Sequence, residues 1–276
     1  MFIRLGYDIQ FDILAEAPIV ALLNVHPSRE SDLLEPDEVR TEPQIGVESF
    51  TDRFGNRSAR ILAPPGNLRF HNSTLIRDSG VPDLQGFDAE EVPIQKLPTD
   101  ILLFLMSSRY CEVDLAVNTA VELFGNSPRG WGRVLAICDW VHRNVTFGYS
   151  FASPTRTALG VYNERVGVCR DFQHLAITFC RALNIPARYA TGYLGDIGVP
   201  PTDCPMDFSA WFEVYLGDRW YTLDARHNKP RIGRILMARG RDATDVAIVT
   251  SFGPCTLAGF KVITNEVTSA AAASGQ

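Results

Sequence analysis

The chain has 276 residues, 46% of them hydrophobic and 21% charged, with a net charge of −6. That length forms one large domain or two ordinary ones with ample core, and the acidic balance argues against a nucleic-acid backbone or an anionic membrane as the main partner. No apolar run reaches the length of a bilayer span.

The opening residues, Met1 to Tyr7, alternate as a strand does and lack the apolar stretch of a secretory leader, so a cytoplasmic location is expected. Strands are predicted over 3–11, 18–25, 48–56 and 58–63, with a turn at Pro64-Pro65-Gly66-Asn67 before Leu68. Many short strands separated by turn residues indicate a small sandwich over residues 1–95. His26 and His71 fall in loop-like settings beside Pro27 and Asn72 and are read as non-functional. Prolines and acids crowd residues 80–98, which places a boundary there and a core domain over 96–266.

In the second unit, 101–106 reads as a short buried helix capped by Thr99 or Asp100, and 117–124 as a helix stopped by Gly125-Asn126-Ser127-Pro128. A third helix is expected over 129–145 and a fourth over 169–183, ended by Asn184-Ile185-Pro186. The period then switches to two, giving strands over 187–194, 209–216, 219–224, 245–250 and 256–262, with Gly217-Asp218 as a hairpin turn. Helices followed by an antiparallel sheet make an α+β fold. Residues 267–276 read as a low-complexity, disordered tail.

Six cysteines, Cys111, Cys138, Cys169, Cys180, Cys204 and Cys255, contain no C-x-x-C pair. In a chain of this size they read as free thiols, without a disulfide framework, a zinc site or any other cofactor. Cys169 stands apart. It follows Gly167-Val168 and falls in the first turn of the fourth helix, whose Leu175, Phe179 and Leu183 recur every four residues. Free N–H groups and the macrodipole at that end favour an anion, so the thiol is expected to ionise more easily than usual. A nucleophile and a small buried side chain fit that position equally well.

Five blocks now stand in order: Trp140 to Val145, Gly167 to Phe172, Ile185 to Tyr189 with Gly192-Tyr193, Ala210 to Tyr215, and Trp220 to Arg226. Together they resemble the bacterial transglutaminase-like proteins of the papain-like cysteine-enzyme superfamily, over roughly residues 100–265, with a strand-rich module of the kind often fused in front. The resemblance implies a cysteine that attacks a carboxamide, a histidine that takes the thiol proton and an aspartate that orients the histidine. Cys169 matches the nucleophile and Asp224 the aspartate. The histidine belongs immediately before Ala210, and Ser209 stands there instead.

A hydroxyl has no basic nitrogen to hold a proton near neutrality, and losing one member of such a unit can cost up to about a millionfold in turnover. Among other histidines, His142 reads as a packed helix residue and His174 as pointing away from the thiol. His227, three residues after Asp224, is the substitute that the spacing allows. Cys204 on a loop rich in proline is placed for a regulatory disulfide with Cys169, or is simply a loop thiol. Trp211, Phe212, Trp220 and Tyr221 are expected in sheet core or cleft wall. Asp171 is read as a cap or ion-pair partner at the helix start, and Arg231, Arg234, Arg239 and Arg241 as a solvated basic face served by Asp242 and Asp245. Two function classes compete: a cysteine amidase or protease acting on a peptide or glutamine carboxamide through a Cys169 thioester, impaired by Ser209, and a pseudoenzyme that binds a peptide or protein in the same cleft. A third reading makes the N-terminal module the working part.

Overall fold

The computed structural model describes residues 1–201 and 206–267. The expected tail beyond Val267, and Cys204 with its suggested disulfide, lie outside the described residues. The first strands are β1 (Phe2–Ile13), β2 (Ala17–Ala21), β3 (Arg40–Glu42), β4 (Val47–Thr51), β5 (Arg57–Ala63) and β6 (Gly66–Arg77). Helices follow: α1 (Val113–Phe124) and α2 (Trp131–Asn144), then α3 (Ala158–Glu164) and α4 (Cys169–Ala182). Two short strands, β7 (Thr146–Phe147) and β8 (Val166–Gly167), pair in parallel around α3. The central sheet is β9 (Ala187–Leu194), β10 (Ser209–Leu216), β11 (Arg219–Leu223) and β12 (Arg234–Gly240), and β13 (Val249–Ser251) and β14 (Cys255–Val267) close the chain.

The sandwich has strand orders β14-β1-β6-β3 and β13-β2-β5-β4. Both C-terminal strands therefore belong to the N-terminal layers, where β14 runs antiparallel to β1 from Cys255 opposite Ile13 to Val267 opposite Phe2. The sequence assigned these segments to the second unit. Strand period and strand partner are separate properties, and only the first is local. The sandwich core of Ile3, Leu5, Ile9, Ile19, Ile61 and Phe70 also takes in Tyr193, Ile235 and Met237 from the central sheet. The two units thus share one apolar interior.

The central sheet has the order β11-β10-β9-β12, and one face carries α4. The helix is buried on every side from Asp171 to Ala182, polar residues included. Leu175 and Phe179 are in the core as the four-residue spacing predicts, but α1, α2 and α3 cover the face that the sequence left open. Residues 101–106 form a short 3₁₀ turn, Leu102–Leu105, in which Phe104 is the buried side chain while Leu103 and Met106 are exposed. The apolar run there reflects edges packed on neighbours rather than a buried helix.

Candidate active site

The local chemistry at the start of α4 fixes where Cys169 stands. The Asp171 carboxylate accepts the N–H of Val168 at 2.9 Å and is fully buried, and Arg156 and Arg170 lie 3.7 and 3.5 Å from it. This is the capping role expected of Asp171. A Cβ on Gly167 would fall 2.6 Å from the Asp171 Cβ, so that approach requires glycine. Cys169 is the first residue of the helix and is partly exposed.

Asp224 follows β11, which is in register with β10 so that Leu223 faces Phe212. The residue is buried, with its side chain 1% exposed. Oδ1 accepts Nε2 of Gln173 at 3.0 Å and the backbone N–H groups of Arg226 and His227 at 3.0 and 3.2 Å. Capping the turn that follows folds the chain back, and the His227 Nδ1 meets Oδ2 at 2.8 Å. Arg234 lies 3.5 Å from the same oxygen. Burial alone would raise this carboxyl, but the His227 bond and the Arg234 charge outweigh it and hold Asp224 ionised, well below the usual range. Gln173 also accepts the N–H of Ala225 at 3.1 Å. It sits one turn along α4 from Cys169, on the same side of the helix, so the Asp224 turn docks one turn from the thiol.

Cys169, Ser209, Asp207, Arg226, His227 and Tyr149 line one small cavity. Ser209 begins β10 opposite Gly192, its carbonyl accepts the Thr191 hydroxyl at 3.0 Å, and it is 8% exposed. The structure therefore brings Cys169 and Ser209 together. Asp224 does not line that cavity; its carboxylate is linked to it through the His227 ring. A wider apolar groove of about 700 Å³ runs from Cys169 past Tyr189 and Phe208 to Ile248, Leu257 and Phe260, between the central sheet and the sandwich. Neither cavity is lined by Trp211, Phe212, Trp220 or Tyr221, which serve the sheet and its packing rather than a cleft wall.

The thiol departs from expectation. Burial pushes Cys169 up to about 11, the Arg226 guanidinium and the Arg170 N–H pull the other way, and Asp207 and Asp224 add to the rise. Desolvation outweighs the helix terminus because neutral sulfur tolerates an apolar wall and a thiolate does not. Arg170 is no counter-charge here, since its guanidinium turns to the Ser153 carbonyl and Asp171. Arg226, stacked 3.6 Å over the Phe147 ring, stands nearer that role. At neutral pH the thiol is protonated, and a nucleophilic role requires a base.

His174 is fully buried, stacked on Tyr110 at 4.9 Å, with Nε2 accepting the Ala243 N–H at 3.1 Å, and burial pushes it down to about 3. His142 is exposed on α2, and its Nδ1 meets the Arg226 carbonyl at 2.7 Å. It steadies the site turn rather than packing in the core. His26 is buried with Nδ1 2.9 Å from the Ser28 hydroxyl, and His71 lies on β6, 3.4 Å from Glu42. The arginines of 231–241 are not a solvated face. Arg231 is buried on the Gly195 carbonyl, Arg234 pairs with Asp83 and Asp224, Arg239 pairs with Glu213, and Arg241 keeps its expected partner Asp245. They flank and punctuate β12, an apolar strand whose charged ends disguised it. Cys111, Cys138, Cys169, Cys180 and Cys255 are free thiols.

Sequence reasoning missed Gln173, Asp207 and Arg226 as parts of this site. The readable signal was Asp-x-x-His directly after a strand, which places an imidazole back on the carboxylate that caps its turn.

A family model described as the transglutaminase-like superfamily matches residues 118–225, a span that includes Cys169, Ser209 and Asp224 and ends before His227. Among solved structures, a candidate cysteine protease from Cytophaga hutchinsonii superposes with a TM-score of 0.84 at 30% identity, covering 98% of this chain and 91% of that one. An uncharacterised protein of Mycobacterium leprae is 28% identical over 221 residues, 76% of this chain and 77% of its own. Another from Mycobacterium tuberculosis is 32% identical over 111 residues, 36% of this chain and 35% of its own.

Proposed function

The chain belongs to the transglutaminase-like superfamily, and from that membership we propose that it is a cysteine amidase or protease that acts on a peptide or glutamine carboxamide through a thioester on Cys169. The observation that carries this reading is the shared cavity of Cys169, Ser209 and His227, with Asp224 bound to the far side of the imidazole at 2.8 Å. In the proposed reaction the sulfur attacks the carbonyl carbon, the amine departs, and water or a second amine releases the acyl group. The groove along Phe208, Ile248 and Phe260 offers an apolar bed for the chain on one side of the scissile carbonyl. The expected partner is thus a peptide or protein substrate.

Ser209 and the protonated thiol favour a second reading, a pseudoenzyme that holds a peptide in this groove without turnover. Hydroxylamine separates the two, because it intercepts a thioester as a hydroxamate. With a glutamine-containing peptide as acyl donor, hydroxamate and ammonia are expected from the intact chain. Peptide binding by calorimetry without either product would establish the pseudoenzyme reading.

A further inference from the structure

We propose that His227 is the general base and acid of this site, supplying from the turn after β11 the imidazole that position 209 lacks. The inference deepens the thioester reading and rests on it. Three observations meet at this residue. Its Nδ1 is 2.8 Å from the Asp224 carboxylate, which is ionised and therefore accepts, so the ring proton sits on Nδ1 and the Nε2 lone pair is left free. The ring is partly exposed, at 23% of the side chain, and lines the cavity that holds the Cys169 thiol. The carboxylate it binds is itself fixed by Gln173, one turn from Cys169 on the same helix. The carboxylate thus holds the imidazole, and imidazole and thiol share one cavity, the set of groups that acyl transfer uses, with the imidazole arriving from a different place in the chain.

Ser209 explains why the turn can do this. A serine at the head of β10 carries no ring nitrogen to compete for the carboxylate, and Asp224 Oδ2 meets the His227 ring at 2.8 Å. The proton accounting closes without any other reactant. Nε2 takes the thiol proton as sulfur bonds to the carbonyl carbon, and Asp224 stabilises the imidazolium. The carbon–nitrogen bond then breaks and Nε2–H gives its proton to the departing amine. Water adds next, losing a proton to Nε2, the carbon–sulfur bond breaks, and the proton returns to the thiol.

Several charged groups bear on the imidazole besides its partner. Arg234 stands behind Asp224; Asp196, Asp207, Arg226 and Arg231 surround the cavity with Tyr149; and His142 on α2 holds the Arg226 carbonyl. Asp207, whose carboxyl is raised by burial and which shares both cavities with Cys169, is the competing base.

The test measures peptide-amide turnover against pH in the full chain and in H227Q, D207N and C169S. The expected result is a loss of at least about 100-fold in H227Q, together with loss of the acid-side limb of the pH profile. A p-nitrophenyl ester, whose leaving group needs no proton, should be spared the general-acid share of that loss and keep the general-base share. In H227A, which opens space for a small base, free imidazole should restore at least about tenfold of the rate, and in C169S none. An active chain whose rate and profile survive H227Q, or whose acid limb vanishes in D207N instead, overturns the assignment of His227 and leaves the thioester reading standing. A chain inert toward both amide and ester overturns both.

Discussion

Cys169→Ser is expected to lower amide turnover by about 10⁴-fold or more while leaving the fold intact. The substitution exchanges one atom at the first position of α4, a partly exposed site, so stability should change by no more than about 1 kcal/mol. The chemistry is less forgiving. The thiol is already neutral under its apolar wall, and an imidazole base must pull its proton during attack. A hydroxyl is a weaker acid and a poorer nucleophile in the same place, so the barrier for that step rises by roughly 1.4 kcal/mol for each tenfold lost. Residual turnover above about a tenth would place the nucleophile elsewhere. The check is a steady-state rate on a glutamine peptide, with a thermal melt run on the same preparation.

Glu213→Ala should be the most damaging single change outside the site, costing about 3–5 kcal/mol of stability. Glu213 sits mid-strand on β10 and is 5% exposed. Arg188 on β9, its register partner, donates to it at 2.6 Å, and Arg239 on β12 lies 3.0 Å away. Burial alone would raise the Glu213 carboxyl, but the two guanidinium groups outweigh it and hold it ionised, below its ordinary range. Removing it leaves two partly buried cations without their counter-charge, on strands β9 and β12 of the sheet that carries Ser209. Arg188 is further fixed over the Trp220 ring at 3.9 Å and has little freedom to escape to water. A fall in melting temperature of about 2–4 °C per kcal/mol is the readout, and a loss below about 1 kcal/mol would show that solvent replaces the carboxylate.

Much of this molecule was legible in its order of residues, and the failures have physical reasons. Helices at 131–144 and 169–182, the last two turns of 113–124, and strands at 187–194, 209–216 and 219–223 announce themselves by periodicity and by glycine, asparagine or proline stops. Strand β12 did not, because Arg234 and Arg239 make its ends look like surface; their partners Asp83 and Glu213 are distant in sequence. Helix α3 escaped notice at seven residues, held by the Thr157 hydroxyl accepting the Gly160 N–H at 3.3 Å. The pairing of β14 with β1 joins the two ends of the chain, and no local pattern specifies it. At the site, Cys169, Ser209 and Asp224 were identified by likeness to a family, and likeness says nothing about desolvation. A helix terminus predicts an acidic thiol, whereas the walls around Cys169 make it a weaker acid. The spacing of Asp224 and His227 was visible, but whether the ring turned inward depended on Gln173 and on the capped turn, which only the fold supplies.

The proposed mechanism requires that the imidazole held by Asp224 look onto the Cys169 sulfur. Nitrogen-15 NMR of the histidine rings, read before and after alkylation of Cys169, measures this directly. His227 is expected to carry its neutral-form proton on Nδ1, and its Nε2 resonance to move when the sulfur is alkylated. A His227 with its proton on Nε2, and resonances unmoved by alkylation, would contradict it.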